Sequence, residues 1–128
     1  MQIDYILYKG KTLEGIWVEG LPCYNIYKQL CIQPLDNMPC CVINRDTLSR
    51  FTTQIDKNSV KIFDGDITRF TKDGFPMLIR WDCEQARFVF HDTINNVDIY
   101  MYRMLAEQCE VIGNVWDNPK LLEDSEDD

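Results

Sequence analysis

Residues 61–90, KIFDGDITRFTKDGFPMLIRWDCEQARFVF, decide the fold class. Lys61–Phe63 and Asp66–Phe70 are short and strand-like, and they flank Asp64-Gly65. Aspartate side chains bond nearby backbone N–H groups and glycine accepts positive φ, so that dipeptide reads as a turn between two strands. Lys72-Asp73-Gly74 is a second turn signal. Pro76–Trp81 and Arg87–Phe90 then read as a hairpin across Asp82-Cys83-Glu84-Gln85. Alternation puts Phe88 and Phe90 on one face of that hairpin and Val89 on the other.

Working outward toward the N-terminus, Ile3, Tyr5 and Leu7 share one face of an expected strand over residues 2–8. Lys9-Gly10-Lys11 is expected to turn the chain, and Leu13–Val18 to return as a strand that Gly20-Leu21-Pro22 breaks. Over Cys23–Gln33 two readings stay open. Tyr24, Tyr27, Leu30 and Cys31 stand at helical spacing, yet β-formers are common there. Pro34 and Pro39 bracket a loop through Asp36-Asn37, and Cys40–Ile43 is a short apolar strand. Toward the C-terminus, Val97–Cys109 is the best helix candidate, with Ile99, Met101, Tyr102 and Leu105 partly following the helical period. Glu110–Trp116 reads as a strand, after which Asp117 or Asn118 caps a helical turn with Pro119 first. The expected fold is mainly β: a small barrel or rolled antiparallel sheet carrying one helix.

The 128 residues suit a single domain over residues 1–122, followed by an acidic tail, 123–128, expected to be disordered. Five of the last six residues are acids; without them the formal charge of −8 falls to about −3, with 16 acids against 13 Lys and Arg. Such a balance gives no support for general binding to a phosphate backbone, which relies on Lys and Arg displacing counterions. No apolar run reaches the roughly 18–20 residues that span a bilayer, and Met1-Gln2-Ile3-Asp4 lacks the basic start of a signal peptide. These features set the expectation of a cytoplasmic protein with no membrane partner. Six cysteines (Cys23, Cys31, Cys40, Cys41, Cys83 and Cys109) include no C-x-x-C pair, and the single histidine, His91, does not complete a Cys/His ligand set. They are read as reduced thiols, with no metal and no cofactor expected.

Two longer stretches carry a family likeness. One is Val42-Ile43-Asn44-Arg45-Asp46-Thr47-Leu48-Ser49-Arg50-Phe51-Thr52, continuing through Asp56-Lys57-Asn58 to Lys61-Ile62-Phe63-Asp64-Gly65-Asp66-Ile67. It resembles the YopX pattern in which T-V-G-Q-Y-T-G-L precedes D-K-N-G-K-x-I-Y-E-G-D-I-V. The other is Glu110-Val111-Ile112-Gly113-Asn114-Val115-Trp116-Asp117-Asn118-Pro119-Lys120-Leu121-Leu122, similar to that family's closing E-V-I-G-N-I-Y-E-N-P-E-L-L. Between them, Leu78-Ile79-Arg80-Trp81-Asp82 matches its V-x-W-D strand. The likeness spans roughly residues 42–122 and is weak over the first 41. Ser49 and Thr53 stand where the family has glycine, and Ser59 where its Asn-Gly turn places glycine, positions that ordinarily take φ > 0. The resemblance implies a mainly β bacteriophage or prophage protein that tends to self-associate. It implies no reaction, ligand or catalytic residue.

The residues themselves offer four chemical readings. Asp64 and Asp66 share a face if on a strand and can be imagined around Mg²⁺, but the D-G-D pattern suits a turn better and lacks further ligands. Ile112-Gly113-Asn114 can form an anion nest, but glycine within a strand more often marks a bulge. His91-Asp92 resembles half a triad with no nucleophile motif beside it. Trp17, Trp81, Trp116, Tyr24, Tyr27, Tyr100 and Tyr102 are possible stacking platforms, with Lys57, Lys61, Arg69, Lys72 and Arg80 to follow a nucleic-acid backbone. The alternative for these aromatics is a small β core. Gly65, Asp66, Trp81, Gly113, Asn114 and Pro119 are therefore expected to shape the fold rather than perform chemistry. The first functional expectation is a non-enzymatic, self-associating accessory module that binds an unidentified host or phage protein in the bacterial cytoplasm. The alternative is a nucleic-acid-binding β-barrel used in phage DNA or RNA metabolism.

Overall fold

The computed structural model describes residues 6–123. The expected strand at 2–8 and the acidic tail fall largely outside them. The chain is mainly β, with antiparallel sheets and one short helix. It divides into two compact units, one ending at Phe51 and the other starting at Thr52. Among the described residues no strand pairing closes a sheet on itself, so the antiparallel sheet, not the closed barrel, is the form observed.

In the first unit β1 (Tyr8–Lys11), β2 (Trp17–Tyr24), β3 (Leu30–Pro34), β4 (Cys41–Val42) and the start of β5 (Ser49–Ile55) lie in the order β4-β3-β2-β1-β5. Lys9-Gly10-Lys11 is strand rather than turn: Lys9 faces Glu19 and Gly10 faces Val18, and Ile43 packs against the bare Cα of Gly10. The turn falls four residues later. Thr12 N–H donates to Ile16 O at 2.8 Å, and Gly15 takes φ +90°. Nor does Gly20-Leu21-Pro22 break β2, since Gly20 faces Pro34 and Pro22 faces Ile32. β1 pairs with β2 only as far as Tyr8↔Gly20, so Pro22 lies where that side of β2 no longer needs a donor. The ambiguous 23–33 segment is a hairpin. Asn25 Oδ1 accepts from Tyr27 N–H and Gln29 N–H, both at 2.9 Å, and Lys28 takes φ +64°. This side-chain-closed turn prevails over the helical spacing of the aromatics. The 3-10 turn Arg45–Thr47 is tied to the end of β1, because Lys11 N–H donates to Thr47 Oγ1 at 2.8 Å.

In the second unit the end of β5 lies beside β6 (Lys61–Phe63). β7 (Asp66–Arg69), β8 (Met77–Asp82), β9 (Arg87–Asp92), β10 (Val97–Tyr100) and β11 (Glu110–Asn114) form a sheet ordered β10-β9-β8-β7-β11. Turns at 64–65 and 72–74 fall where the sequence places them, and the third, at 83–86, falls one residue later than expected because Asp82 is still strand. Ile62, Met77, Ile79, Phe88, Phe90, Met101, Ala106 and Cys109 make the core of this unit. The Phe70 and Phe90 rings tilt together at 5.0 Å, and the Trp81 edge meets Phe88 at 5.0 Å. Val89, on the opposite face from the two phenylalanines, is fully buried as well.

The expected helix at Val97–Cys109 is corrected to a strand followed by one helical turn, α1 (Arg103–Ala106). Asp92 Oδ1 accepts from Ile94 N–H and Asn95 N–H, and Asn96 takes φ +55°. That turn sets Val97 opposite Asp92 and Ile99 opposite Phe90. The β-branched alternation of Val97-Asp98-Ile99-Tyr100 then outweighs a helical period that was only partial. No helix among the described residues is long and apolar enough to cross a membrane.

Candidate functional site

Of the family-like residues, those of the D-G-D turn and of the closing motif meet in the second unit. Gly65 takes φ +90° in the β6–β7 turn, and a Cβ there would fall on the ring of Trp116. Its N–H donates to Ile79 O at 2.8 Å and its carbonyl accepts from Val115 N–H at 2.9 Å. Asp66 is buried, and its Oδ2 accepts from Phe63 N–H at 2.8 Å across the same turn. Asp64 is half-buried. Asn114, opposite Asp66 in the sheet, accepts from Trp116 N–H at 3.1 Å and Asp117 N–H at 2.8 Å through Oδ1. The β7–β11 register shifts between Val111 and Gly113, the bulge expected of a glycine in a strand.

The anion-nest reading of Ile112-Gly113-Asn114 meets an occupant from the chain itself. Asn118 Oδ1 accepts from Asn114 N–H at 3.2 Å, and the Asn118 side chain fills the space a Cβ on Gly113 would take. Pro119 opens the closing 3-10 turn, Pro119–Leu122, with Asn118 at its N-cap position. The described residues include no group of three or more His, Cys, Asp or Glu placed to hold a metal ion. Taken together, these contacts interlock two turns.

A second cluster lies on β8–β10. His91 Nδ1 is 2.6 Å from Asp98 Oδ1, and Arg80 donates to Asp98 Oδ2 at 3.1 Å. The His91 hydrogen bond, with Arg80 behind it, holds the Asp98 carboxyl below the ordinary carboxylate range. Asp92, the sequence neighbour read as half a triad, instead bonds Asn95 and the turn amides, which lower its own acidity range. The partner of His91 is thus Asp98, legible only once β10 is a strand that sets Asp98 opposite His91. Among the described residues His91 has no hydroxyl or thiol hydrogen-bond partner, so the pair lacks a nucleophile to activate.

The stacking residues divide between the two units. Trp17, Tyr24 and Tyr27 belong to the first unit; Trp81, Tyr100, Tyr102 and Trp116 belong to the second. Trp81 faces Phe88 and Tyr100 faces Val89, so these two rings lie on opposite faces of one sheet. Cations already cover two rings: Lys9 Nζ lies 4.7 Å from the Trp17 ring, and the Arg87 guanidinium 3.9 Å from Tyr100. Of the five basic residues proposed to track a backbone, Arg69 pairs with Glu110 at 2.9 Å and Arg80 with Asp98.

Sequence reading missed Asp56. Its carboxylate is buried; Oδ1 accepts from Asn58 N–H at 2.8 Å and Val60 N–H at 2.9 Å, while Oδ2 accepts from Val111 N–H at 2.9 Å. Lys57 N–H adds a bond to Cys109 O at 2.9 Å. The only signal was the Asp-Lys-Asn turn pattern, which does not say that a strand 55 residues away docks on it.

Two of the three glycine departures prove costly in conformation. Thr53 takes φ +71° and Ser59 φ +65°, whereas Ser49 is simply buried, with its hydroxyl bonded to Thr47 O at 2.8 Å. No curated protein matches this chain. The family model described as YopX protein matches residues 20–123, extending past the 42–122 likeness to take in the end of β2 and all of β3 and β4. With most of its length matched, and with the D-G-D and G-N-x-W-x-N-P elements interlocked, the chain belongs to the YopX family.

Proposed function

We propose that this chain is a phage- or prophage-encoded accessory module without catalytic activity, working in the bacterial cytoplasm by self-association and by binding another protein. The observation that carries this reading is the free edge of β10. All four of its residues are exposed, including Val97, Ile99 and Tyr100, and the apolar surface continues through Tyr102 and Met104. Met101 N–H donates to Phe88 O at 3.1 Å, which fixes the alternation of the ladder. Residues 97, 99 and 101 bond inward to β9, and Asp98 and Tyr100 present N–H and C=O outward. Among the described residues no strand pairs with that edge. An unpaired apolar edge is a template for another strand, and a second copy in antiparallel register satisfies it with two-fold symmetry.

The interlocked turns support a structural role for Gly65, Asp66, Gly113, Asn114 and Pro119, and Trp81 packs on Phe88 in the same sense. The acidic balance, and Trp81 and Tyr100 on opposite faces of one sheet, favour a protein partner over nucleic acid. The experiment is sedimentation over a range of concentrations on the parent and on Val97→Lys/Ile99→Lys. The parent should exceed the mass of one chain, and the variant should remain monomeric with an unchanged far-UV spectrum, because lysines on an edge repel their symmetry mates. A monomeric parent, or retention of a nucleic-acid probe at physiological salt, overturns the reading.

A further inference from the structure

The sheet of the second unit has two edges, and the chain itself fills one of them. Along β11, Val111 N–H donates to Asp56 Oδ2, Cys109 O accepts from Lys57 N–H, and Asn118 bonds both the N–H and the carbonyl of Asn114. β10, at the other end of the order β10-β9-β8-β7-β11, has no such cover among the described residues. Within this sheet, the edge that answers β10 is therefore the β10 of a second copy, which gives a closed two-fold pair rather than a head-to-tail chain.

We infer that two copies align β10 with β10 around a two-fold axis at Ile99, with Asp98 of each opposite the partner's Tyr100 and its carboxylate against the partner's Arg87. This register rests on self-association through the β10 edge and adds to it the residues that select the alignment.

Asp98 and Tyr100 are the positions that bond outward. With the axis at Ile99, each exchanges both N–H···O bonds with the other in the second copy. An axis shifted toward the β9–β10 turn sets Asp98 or Tyr100 against the partner's Asn96, which takes φ +55° and lies outside the strand. Centred on Asp98 itself, it also puts like charges directly opposite one another, which is unfavourable. An axis shifted toward α1 requires the partner's Tyr102 O as acceptor, and Ala106 N–H already bonds that carbonyl at 2.9 Å.

The side chains fit the same alignment. Asp98, Tyr100 and Arg87 share one face of the sheet. The Arg87 guanidinium lies over the Tyr100 ring at 3.9 Å, its Nε has no hydrogen-bond partner, and no carboxylate pairs with it among the described residues. The Asp98 carboxylate, bound by His91 at 2.6 Å and Arg80 at 3.1 Å, keeps lone pairs for a further donor. Standing opposite the partner's Tyr100, it meets the guanidinium that covers that ring. On the other face the two copies of Ile99 make the non-hydrogen-bonded pair at the axis, where side chains approach closest, and Val97 stands opposite the partner's Met101.

The test is disulfide trapping. Parent, Ile99→Cys and Val97→Cys are first sedimented in reductant, then oxidised in air and mapped by mass spectrometry. At the axis the two introduced thiols of Ile99→Cys sit on Cα atoms about 4.5 Å apart, within reach of a disulfide. The expected result is a covalent dimer in which the two peptides holding position 99 are joined to each other. Val97→Cys, whose introduced thiol faces the partner's Met101, should give no such self-link. Arg87→Gln, with an unchanged far-UV spectrum, should weaken association by about 2–30-fold, since the axis removes two charge pairs at once; this arm stands even if a cysteine variant fails to fold. A parent that associates while Ile99→Cys stays unlinked at position 99, or while Val97→Cys links to itself, overturns the register and leaves self-association in place. Arg87→Gln associating as tightly as the parent overturns the charge pair. A parent that stays a single chain at every concentration overturns self-association and the register together.

Discussion

Replacing Asp56 tests how the second unit is held together. Its Oδ1 closes the turn before β6 through Asn58 and Val60, and its Oδ2 takes the amide of Val111 on β11. Asp56→Asn separates these roles. The amide oxygen can keep the two turn bonds, but the NH₂ group then faces the Val111 N–H, donor against donor. A hydrogen bond to a charged acceptor contributes roughly 1.5–3 kcal/mol, so the Asn variant should lose about that much. Asp56→Ala also releases the turn amides. Because Asn58 and Val60 are exposed and water can reach them, the total should be about 3–5 kcal/mol rather than three full bonds. For a chain of this size about 3–5 °C accompanies each kcal/mol, so the Asn variant should melt about 5–15 °C below the parent and the Ala variant lower still. Thermal melting followed by circular dichroism measures both. An Asn variant within about 2 °C of the parent would show that the Val111 bond does not secure β11, and the reasoning would fail.

Thr53→Gly should raise stability by about 0.5–1 kcal/mol, since relief of a β-branched residue at φ +71° is worth about 1–2 kcal/mol and glycine's extra chain entropy returns part of it; urea titration gives the value. Gly113→Val should cost at least about 1–3 kcal/mol by evicting Asn118 from Asn114 N–H, and chemical denaturation beside Asp66→Asn checks it; if both stay as stable as the parent yet lose binding to a metal, nucleotide or partner, these residues form a site instead. Asp98 has its carboxyl held below the ordinary 3.8 by His91 and Arg80, so its contribution is present above that value and is lost as pH falls through the lower folded one. The melting gap between the parent and Asp98→Asn should therefore be open at neutral pH and should close in strong acid.

The fold was legible where a turn carries its own chemistry. Asp64-Gly65, Lys72-Asp73-Gly74 and the run after Asp82 each bound strands that the structure contains. It was illegible where a glycine served packing instead of turning. Gly10 looks like a loop residue, but its missing side chain admits Ile43, a contact 33 positions away in sequence. The 97–109 segment misled because four residues of strand and four of helix average to a weak helical period, and the deciding turn lies before them at Asp92. Strand β5 passed unnoticed because it is polar: Ser49, Thr52 and Thr53 hide a strand whose buried face is half hydroxyl. Of the candidate site, Gly65, Asp66, Gly113, Asn114 and Pro119 were readable as motif. Their partners Trp116 and Asn118, and the pairing of His91 with Asp98, depend on register, which a single sequence does not state.

The proposed self-association runs through the outer edge of β10, pairing it with a second copy. Amide hydrogen exchange at Asp98 and Tyr100, followed as protein concentration rises, tests it at the bond itself. These two amides, which bond nothing inward in the ladder, should exchange fast in dilute solution. They should gain protection in step with the rise in solution mass, while Ile99 stays protected throughout. Rising mass with Asp98 and Tyr100 still exchanging freely would place the interface elsewhere and refute pairing through β10.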